Sequence, residues 1–212
     1  MVTEGHITKY RRAGFIPPAS FVRTRLTPAN ERIPNPESGE RVVFLSHMAQ
    51  GFALPAHPFL LELFEFYSIQ LHHLGANAIN LISYFAAFCE SYLGIHPNLG
   101  LFCRLFFLKA QTVYKDGPLV DCGAASVYQR PQTGLPKFPY HDSVKQWNRT
   151  YFYVKNETDA DCIKLPAFAN VQPTTLTWKT SDWGGKQDID LMIQTMKKLV
   201  KAWLSSMDIT LS

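Results

Sequence analysis

The chain has 212 residues, 46% of them hydrophobic and 18% charged, and this balance excludes a largely disordered protein. The formal net charge of +4 is small, so charge alone gives weak support for a dedicated nucleic-acid-binding module. The longest apolar stretch, residues 78–89, covers about 12 residues, whereas a membrane-spanning helix needs roughly 20.

Residues 1–41 are predicted to form an irregular, proline-rich arm. Proline blocks the interiors of helices and strands, and five prolines fall here: Pro17, Pro18, Pro28, Pro34 and Pro36. Residues 1–12 are polar and lack the apolar region of a secretory signal. We therefore expect an intracellular protein, in the nucleus or cytoplasm, that is not secreted and does not associate with a membrane. The Asn-x-Thr sequences at Asn148 and Asn156 are interpreted as chance matches to the glycosylation pattern.

A helical section is predicted next, after a short apolar run at 42–45 that suits a strand or a buried anchor. The first helix starts at Pro58, a favourable first helical residue, and continues to a break at Gly75. Asn77 suits the N-cap of a second helix, which ends at Gly94 and is apolar almost all round, as expected of an enclosed helix. A third helix is predicted over residues 98–109.

The residues after Gln111 favour β-structure. Asp116-Gly117 predicts a hairpin turn. Residues 150–156 form the best strand candidate, with Phe152 and Val154 on one face and Tyr151 and Tyr153 on the other. The chain closes with an amphipathic helix, whose apolar stripe is Ile189, Met192, Ile193, Met196, Leu199, Val200, Trp203 and Leu204.

These elements predict an α+β fold that is mainly α. A central helical bundle occupies about residues 57–110, with a smaller β-containing segment and the C-terminal amphipathic helix packed against it. We divide the chain into an irregular arm at 1–41, a domain at 42–174, and a linker with the C-terminal helix at 175–212.

Four phrases in the middle of the chain together resemble a known family. They are "RVVFLSHMAQGFALPAHPF", "LHHLGANAINLISYFAAFCESYLGIHP", "LFCRLFFLK" and "FPYHDSVKQWNRTYFYVKN". In this order they resemble the plant putative gypsy-type transposon (transposase) domain family, which occurs in retrotransposon-associated reading frames. Phe102 departs from the tryptophan usual in that family. The resemblance implies a mobile-element origin and brings no catalytic residue set with it.

The residues do not fit the enzymes of mobile elements. Strand transfer by a DDE transposase uses metal ions held by three carboxylates. Asp121 and Glu157 have a suitable spacing, but no aspartate precedes Asp116 to complete the set. The nearest match to an aspartic protease motif is Asp142-Ser143-Val144, in which valine stands where the strand needs glycine. Neither an Asp-Asp pair nor a phosphate-binding glycine loop occurs. We therefore predict no catalytic or cofactor-binding residues and no cofactor.

The histidines and cysteines are the candidate metal ligands of the sequence. Cys89, Cys103, Cys122 and Cys162 contain no C-x-x-C pair and are expected to be buried, reduced thiols. Five of the seven histidines lie within fifty residues: His47, His57, His72, His73 and His96. Only His57 with His96, near Cys103, is placed to share an ion. We prefer histidines that cap helix ends, a structural Cys89, and an Arg104–Glu90 ion pair.

The leading functional prediction is a non-catalytic, mobile-element-derived protein that acts in gag-like assembly or binds a protein partner. Its C-terminal helix could mediate contact with a partner or self-association. The alternative is nucleic-acid binding through a basic N-terminal arm, in which five cations lie close together: Lys9, Arg11, Arg12, Arg23 and Arg25.

Overall fold

The computed structural model describes residues 1–111, 122–131, 133, 144–169, 190–198 and 201. Runs of helices and runs of strands both occur along these residues, and the strands form two small antiparallel sheets, so the mixed α+β class is confirmed. The predicted Asp116-Gly117 turn lies outside the described residues.

Residues 1–41 are not irregular throughout, so that part of our prediction was wrong. Helix α1, Glu4–Arg12, begins after Thr3, whose hydroxyl accepts a hydrogen bond from the His6 backbone N–H. Strand β1 is Val22–Leu26. The prolines of this region lie between these two elements or after them, and the proline-free stretches are long enough to form both.

A three-stranded antiparallel sheet joins residues 22–44 to residues 151–156. Its order is β1, β5 (Tyr151–Asn156) and β2 (Arg41–Phe44), so the last strand in sequence lies at the centre. Phe152 and Val154 of β5 enter the main core, whereas Tyr151 and Tyr153 enter a second cluster on the opposite face. The predicted strand and the alternation of its two faces are both confirmed.

Helix α2 is short, Leu45–Ala49. The first predicted helix corresponds to α3, and its C-terminal end differs from the prediction. Helix α3 is Pro58–Tyr67, with proline at the predicted first position. It ends well before Gly75, because Ser68 adopts a left-handed conformation with φ 51° and its N–H bonds the Glu65 carbonyl.

Helix α4 is Ala76–Phe88, and its N-cap is Gly75, not Asn77. It continues into a π-helical turn, Cys89–Leu93, and stops at Gly94, where φ is 64°. The predicted stop at Gly94 is confirmed, because glycine adopts this backbone conformation without steric cost.

The third predicted helix is too long. Helix α5 is Leu99–Leu105, and the side chain of Asn98 caps it by accepting a hydrogen bond from Leu101 N–H at 2.9 Å. Strand β3, Phe106–Ala110, follows directly and pairs antiparallel with β4, Ala125–Gln129. The central part is therefore not an uninterrupted helical bundle. Phenylalanine and leucine suit a strand as well as a helix, and the pairing with β4 decides between them.

Four phenylalanine rings hold α3, α4, α5 and β3 together at the centre of the main core. Phe85 lies 5.2 Å from Phe59, 5.3 Å from Phe102 and 5.8 Å from Phe106, measured between ring centroids. These distances suit edge-to-face and tilted contacts, which add to the stabilisation from apolar burial.

Residues 190–198 are helical, and we call them α6. Ile193 and Met196 are buried in the main core, whereas Leu191 is 64% exposed. Met192 is partly buried and packs against the same core, so three side chains of the predicted apolar stripe contact the rest of the chain. Within the described ranges, none of the helices has both the length and the apolar character required to cross a bilayer.

Candidate functional site

An apolar groove of about 360 Å³ opens between the loop at 51–57 and helices α3 and α4. The loop, which contains the cis peptide bond Leu54–Pro55, forms one wall. The first turn of α3 and one face of α4 form the others, and most of the lining is apolar: Phe52, Pro55, Leu60, Ile79, Ile82 and Ala86. A concave, mainly apolar site with few polar groups is typical of a ligand-binding site.

Gly51 allows the loop to approach α4. Its φ is 98°, and a Cβ atom at this position would lie 3.0 Å from both Cβ and Oγ of Ser83. Glycine adopts this φ readily and presents no side chain to Ser83. The width of the groove at this end thus depends on a glycine.

His57 and Glu90 form a pair at the rim of the groove. His57 Nδ1 accepts a hydrogen bond from the Phe59 N–H at 3.2 Å, which places the ring proton on Nε2. Nε2 then donates to Glu90 Oε1 at 3.1 Å. Both ring nitrogens are occupied, so His57 caps helix α3 and holds Glu90, and it does not present a free base to the groove.

Lys164 lies at the same groove, contributed by the turn that follows β5. Its backbone has φ 55°, which is uncommon for a residue other than glycine, asparagine or aspartate. Asp161 Oδ1 accepts hydrogen bonds from the backbone N–H groups of Ile163 and Lys164 at 3.2 and 2.9 Å. The N–H of Ala56 bonds the Ile163 carbonyl at 3.0 Å, which ties this turn to the groove loop.

Cys89 precedes the groove residue Glu90 and does not itself line the groove. Cys89 is fully buried, and burial raises the pKa of its thiol to about 12, with the nearby Glu90 charge acting in the same direction. A thiol that stays protonated at neutral pH is unreactive. Cys103 is also buried, with its sulfur 3.2 Å from the Tyr67 hydroxyl. The structural role predicted for Cys89 agrees with this geometry.

The predicted helix-capping histidines are confirmed at two positions. His57 caps α3, and His73 Nδ1 accepts from the Gln70 N–H at 2.9 Å before α4. His47 is buried, and its Nε2 donates to the Leu74 carbonyl at 3.0 Å. His96 is exposed and does not line the groove. Within the part of the chain that the structure describes, no three histidine, cysteine or acidic side chains are grouped as metal ligands.

Two of the five cations proposed for nucleic-acid binding hold the chain together instead. Arg11 donates to the carbonyls of Pro17 and Val22 at 3.0 and 2.9 Å, which fixes α1 to the start of β1. Arg25 forms a two-point contact with the buried Glu40, at 2.8 and 2.6 Å. Their guanidinium groups are therefore already engaged.

The other three cations are more exposed. Arg23 pairs with Glu157 at 3.1 Å. Glu157 is one of the two carboxylates with transposase-like spacing, and the other, Asp121, lies outside the described residues. Lys9 and Arg12 are exposed on α1. Three of the five predicted cations are thus engaged within the chain, and Lys9 and Arg12 remain exposed.

The predicted ion pair between Arg104 and Glu90 is wrong. Arg104 Nη2 lies 3.3 Å from Asp190 Oδ1, at the start of α6. Glu90 is held by His57 instead. Sequence reasoning also missed Lys164, because Lys164 reaches the groove through a turn far along the chain, and no local spacing signals that contact.

Comparison with known families identifies the middle of the chain. The family model described as "Putative gypsy type transposon" matches residues 42–110, from β2 to the end of β3. The search of curated proteins and the search of solved structures each returned no match. The matched segment contains the groove loop, α3 and α4. The resemblance seen in the sequence is confirmed over residues 42–110, where the chain matches the gypsy-type transposon family model.

Proposed function

We propose that this chain is a non-catalytic, mobile-element-derived protein that binds a partner protein through the groove between the 51–57 loop, α3 and α4. The observation that carries the proposal is the combination of an apolar groove of about 360 Å³ with a rim whose histidine is fully engaged. The family match supports the mobile-element origin.

The groove is better suited to binding than to catalysis. A general base must have a free lone pair within reach of the substrate. His57 uses Nδ1 for the Phe59 N–H and Nε2 for Glu90. The adjacent thiol of Cys89 is buried and protonated. The remaining lining residues are mainly hydrocarbon, which favours an apolar side chain of a partner.

Protein interaction through the groove is favoured over gag-like assembly through the C-terminal helix. Ile193 and Met196 of α6 are 9% and 1% exposed and belong to the chain's own core. These two side chains cannot also form a surface for a second copy. Nucleic-acid binding is less favoured, because Arg11, Arg23 and Arg25 are already paired.

A groove-filling variant tests the proposal. Ala87 lines the groove but is exposed, so Ala87→Trp fills the opening without overpacking the core. Peptides selected from a random display library on the immobilised wild-type protein would then be titrated against each purified variant. We expect Ala87→Trp to weaken binding at least tenfold. The matched control is Tyr84→Ala, on the same helix but absent from the groove lining, and it should leave binding unchanged. Equal affinity of the selected peptides for wild type and Ala87→Trp would refute groove binding.

A further inference from the structure

We propose that a small cavity between β2, the turn at 70–72 and the segment 165–168 binds one water molecule, held by His72 Nε2 and the backbone of Val42. The cavity measures about 20 Å³. A buried water needs a cavity of about 10–15 Å³ or more, so there is room for a single water and for no larger ligand. Among the described residues, this cavity and the groove have no lining residue in common, so the water site does not depend on the proposed function.

His72 brings a polar atom without a protein partner to the cavity. The residue lines the cavity and is 2% exposed, and among the described residues its Nε2 has no hydrogen-bond partner. Buried polar atoms in folded proteins are nearly always hydrogen-bonded, either to protein or to ordered water. Burial lowers the pKa of His72 to about 3, with the charges of His73 and His47 contributing, so the ring is neutral at pH 7. Nε2 of a neutral ring either donates or accepts one bond, and a water molecule suits both cases.

Val42 offers two further polar groups from the outer edge of β2. The Leu45 N–H bonds the Thr150 carbonyl at 2.9 Å, which marks a hydrogen-bonded pair of the β2–β5 ladder. Val43 faces Phe152 two residues along the same ladder. Because bonded and non-bonded pairs alternate in an antiparallel ladder, the N–H and C=O of Val42 point away from β5. Val42 is 5% exposed and lines the cavity, so these groups are placed to bond the same water as His72.

The walls favour a neutral ligand over an ion. The described residues that line the cavity include no acidic side chain and no cysteine, so a cation would lack its usual ligands. Arg41 lines the cavity, but its Nε and Nη1 donate to the carbonyls of Leu165 and Glu40 at 2.8 and 3.1 Å. A water molecule bonds His72 and Val42 without adding a charge.

The water would join parts of the chain that are distant in sequence. The Gln70 amide donates to the Ala167 carbonyl at 3.1 Å and accepts from the Ala169 N–H at 3.0 Å. The Phe168 ring lies 5.0 Å from the His72 ring, measured between centroids. A water bound to both His72 and Val42 therefore adds a link between β2 and the turn at 70–72, where this segment packs.

A high-resolution crystal structure of the full chain at neutral pH tests the site directly. We expect one ordered water at about 2.7–3.2 Å from His72 Nε2, and at a similar distance from the N or O atom of Val42. A cavity without ordered density would overturn the proposal. A rotated His72 ring whose nitrogens are bonded only to protein atoms would overturn it as well.

Nuclear Overhauser effects between water and amide protons test the site in solution. In the wild-type chain, the Val42 amide should show a water cross-peak, whereas the amide of Phe152 on the central strand is the internal control and should show none. His72→Phe keeps a ring of similar size but removes Nε2, and it should abolish the Val42 cross-peak. His96→Phe changes an exposed histidine and should keep it. The wild-type spectrum remains a test if His72→Phe does not fold. No cross-peak at Val42 in the wild type, or an unchanged one in folded His72→Phe, would contradict the proposed site.

Discussion

Phe59 of α3 and Phe85 of α4 contact each other in the main core, with ring centroids 5.2 Å apart. Both rings are at least 98% buried. We predict that Phe85→Ala lowers the free energy of unfolding by about 3–5 kcal/mol, because it leaves a cavity among the rings. Phe85→Leu should cost less, about 1–2 kcal/mol, and keeps the test usable if the alanine variant does not fold.

Urea unfolding measures both losses, with Tyr84→Ala as control. Tyr84 precedes Phe85 on the same helix but is 49% exposed, so its truncation should change stability by less than about 1 kcal/mol. Similar losses for Phe85→Leu and Tyr84→Ala would show that α4 does not depend on this ring contact.

The sequence predicted features that depend on local chemistry. Pro58 at the start of α3 and Gly94 after α4 are fixed by backbone conformation, and both are confirmed. The helix predicted from Asn98 begins one residue later, because the Asn98 side chain caps α5. The strand at β5 follows from its alternating aromatic and aliphatic residues.

Features that depend on distant residues were not predicted. The change from α5 to β3 at Phe106 is decided by pairing with β4. Ser68 ends α3 in a conformation that serine adopts rarely, and no sequence rule signals it. At the groove, His57 was placed correctly as a helix cap, whereas its contact with Glu90 and the approach of Lys164 depend on tertiary packing.

Stability should fall with acid because of two buried histidines. Burial lowers the pKa of His47 to about 3, although its hydrogen bond to the Leu74 carbonyl acts in the opposite direction. Burial also lowers the pKa of His72 to about 3, and the charges of His73 and His47 contribute. Both groups stay neutral in the fold but bind protons in the unfolded chain below pH 6.5. Stability is therefore lost as pH falls from about 6.5 towards 3.

Urea unfolding at several pH values measures this loss. Two protons give a slope that approaches about 2.7 kcal/mol per pH unit below pH 5.5. His72→Phe removes one titrating group and should roughly halve the contribution of the pair. His96→Gln is the control, since His96 is exposed, and should keep the wild-type slope. An unchanged slope in His72→Phe would show that this histidine does not drive the acid sensitivity.

Gly51→Ala should destabilise the loop that forms one wall of the groove. Alanine is strained at φ 98°, and its Cβ would lie 3.0 Å from Ser83 Cβ. We expect a loss of about 1–3 kcal/mol in thermal or urea unfolding, from the strain and the contact together.

Two further variants separate the causes of that loss. Ser83→Gly in the Gly51→Ala background removes the side chain that is approached, so it should recover the part of the loss that is due to the contact. Gly75→Ala is the matched control, because its φ is −64° and its added Cβ would have nothing within 4 Å. Equal losses for Gly51→Ala and Gly75→Ala would contradict the close approach of the loop to α4.

Two arginines of β1 make ion pairs that we expect to differ in their contribution to stability. Arg25 contacts Glu40, whose side chain is 2% exposed, whereas Arg23 and Glu157 are 56% and 40% exposed. The hydrogen bond from Arg25 lowers the pKa of Glu40, and the Glu37 N–H also bonds this carboxylate at 2.8 Å. We predict that Glu40→Gln costs about 1–3 kcal/mol, because a charged hydrogen-bonded group is lost from a buried site.

The exposed pair is the matched comparison. Arg23→Gln should cost less than about 1 kcal/mol, and the loss should shrink further in 0.5 M salt, because exposed ion pairs are weak and screened. The contribution of Glu40 should be present at neutral pH and should disappear as pH falls through the lowered pKa of its carboxyl group, since protonation removes the charge in both states. If Arg23→Gln lowers the free energy of unfolding as much as Glu40→Gln does, burial does not determine the strength of these pairs. That result would contradict the stabilising role given to the Arg25–Glu40 pair.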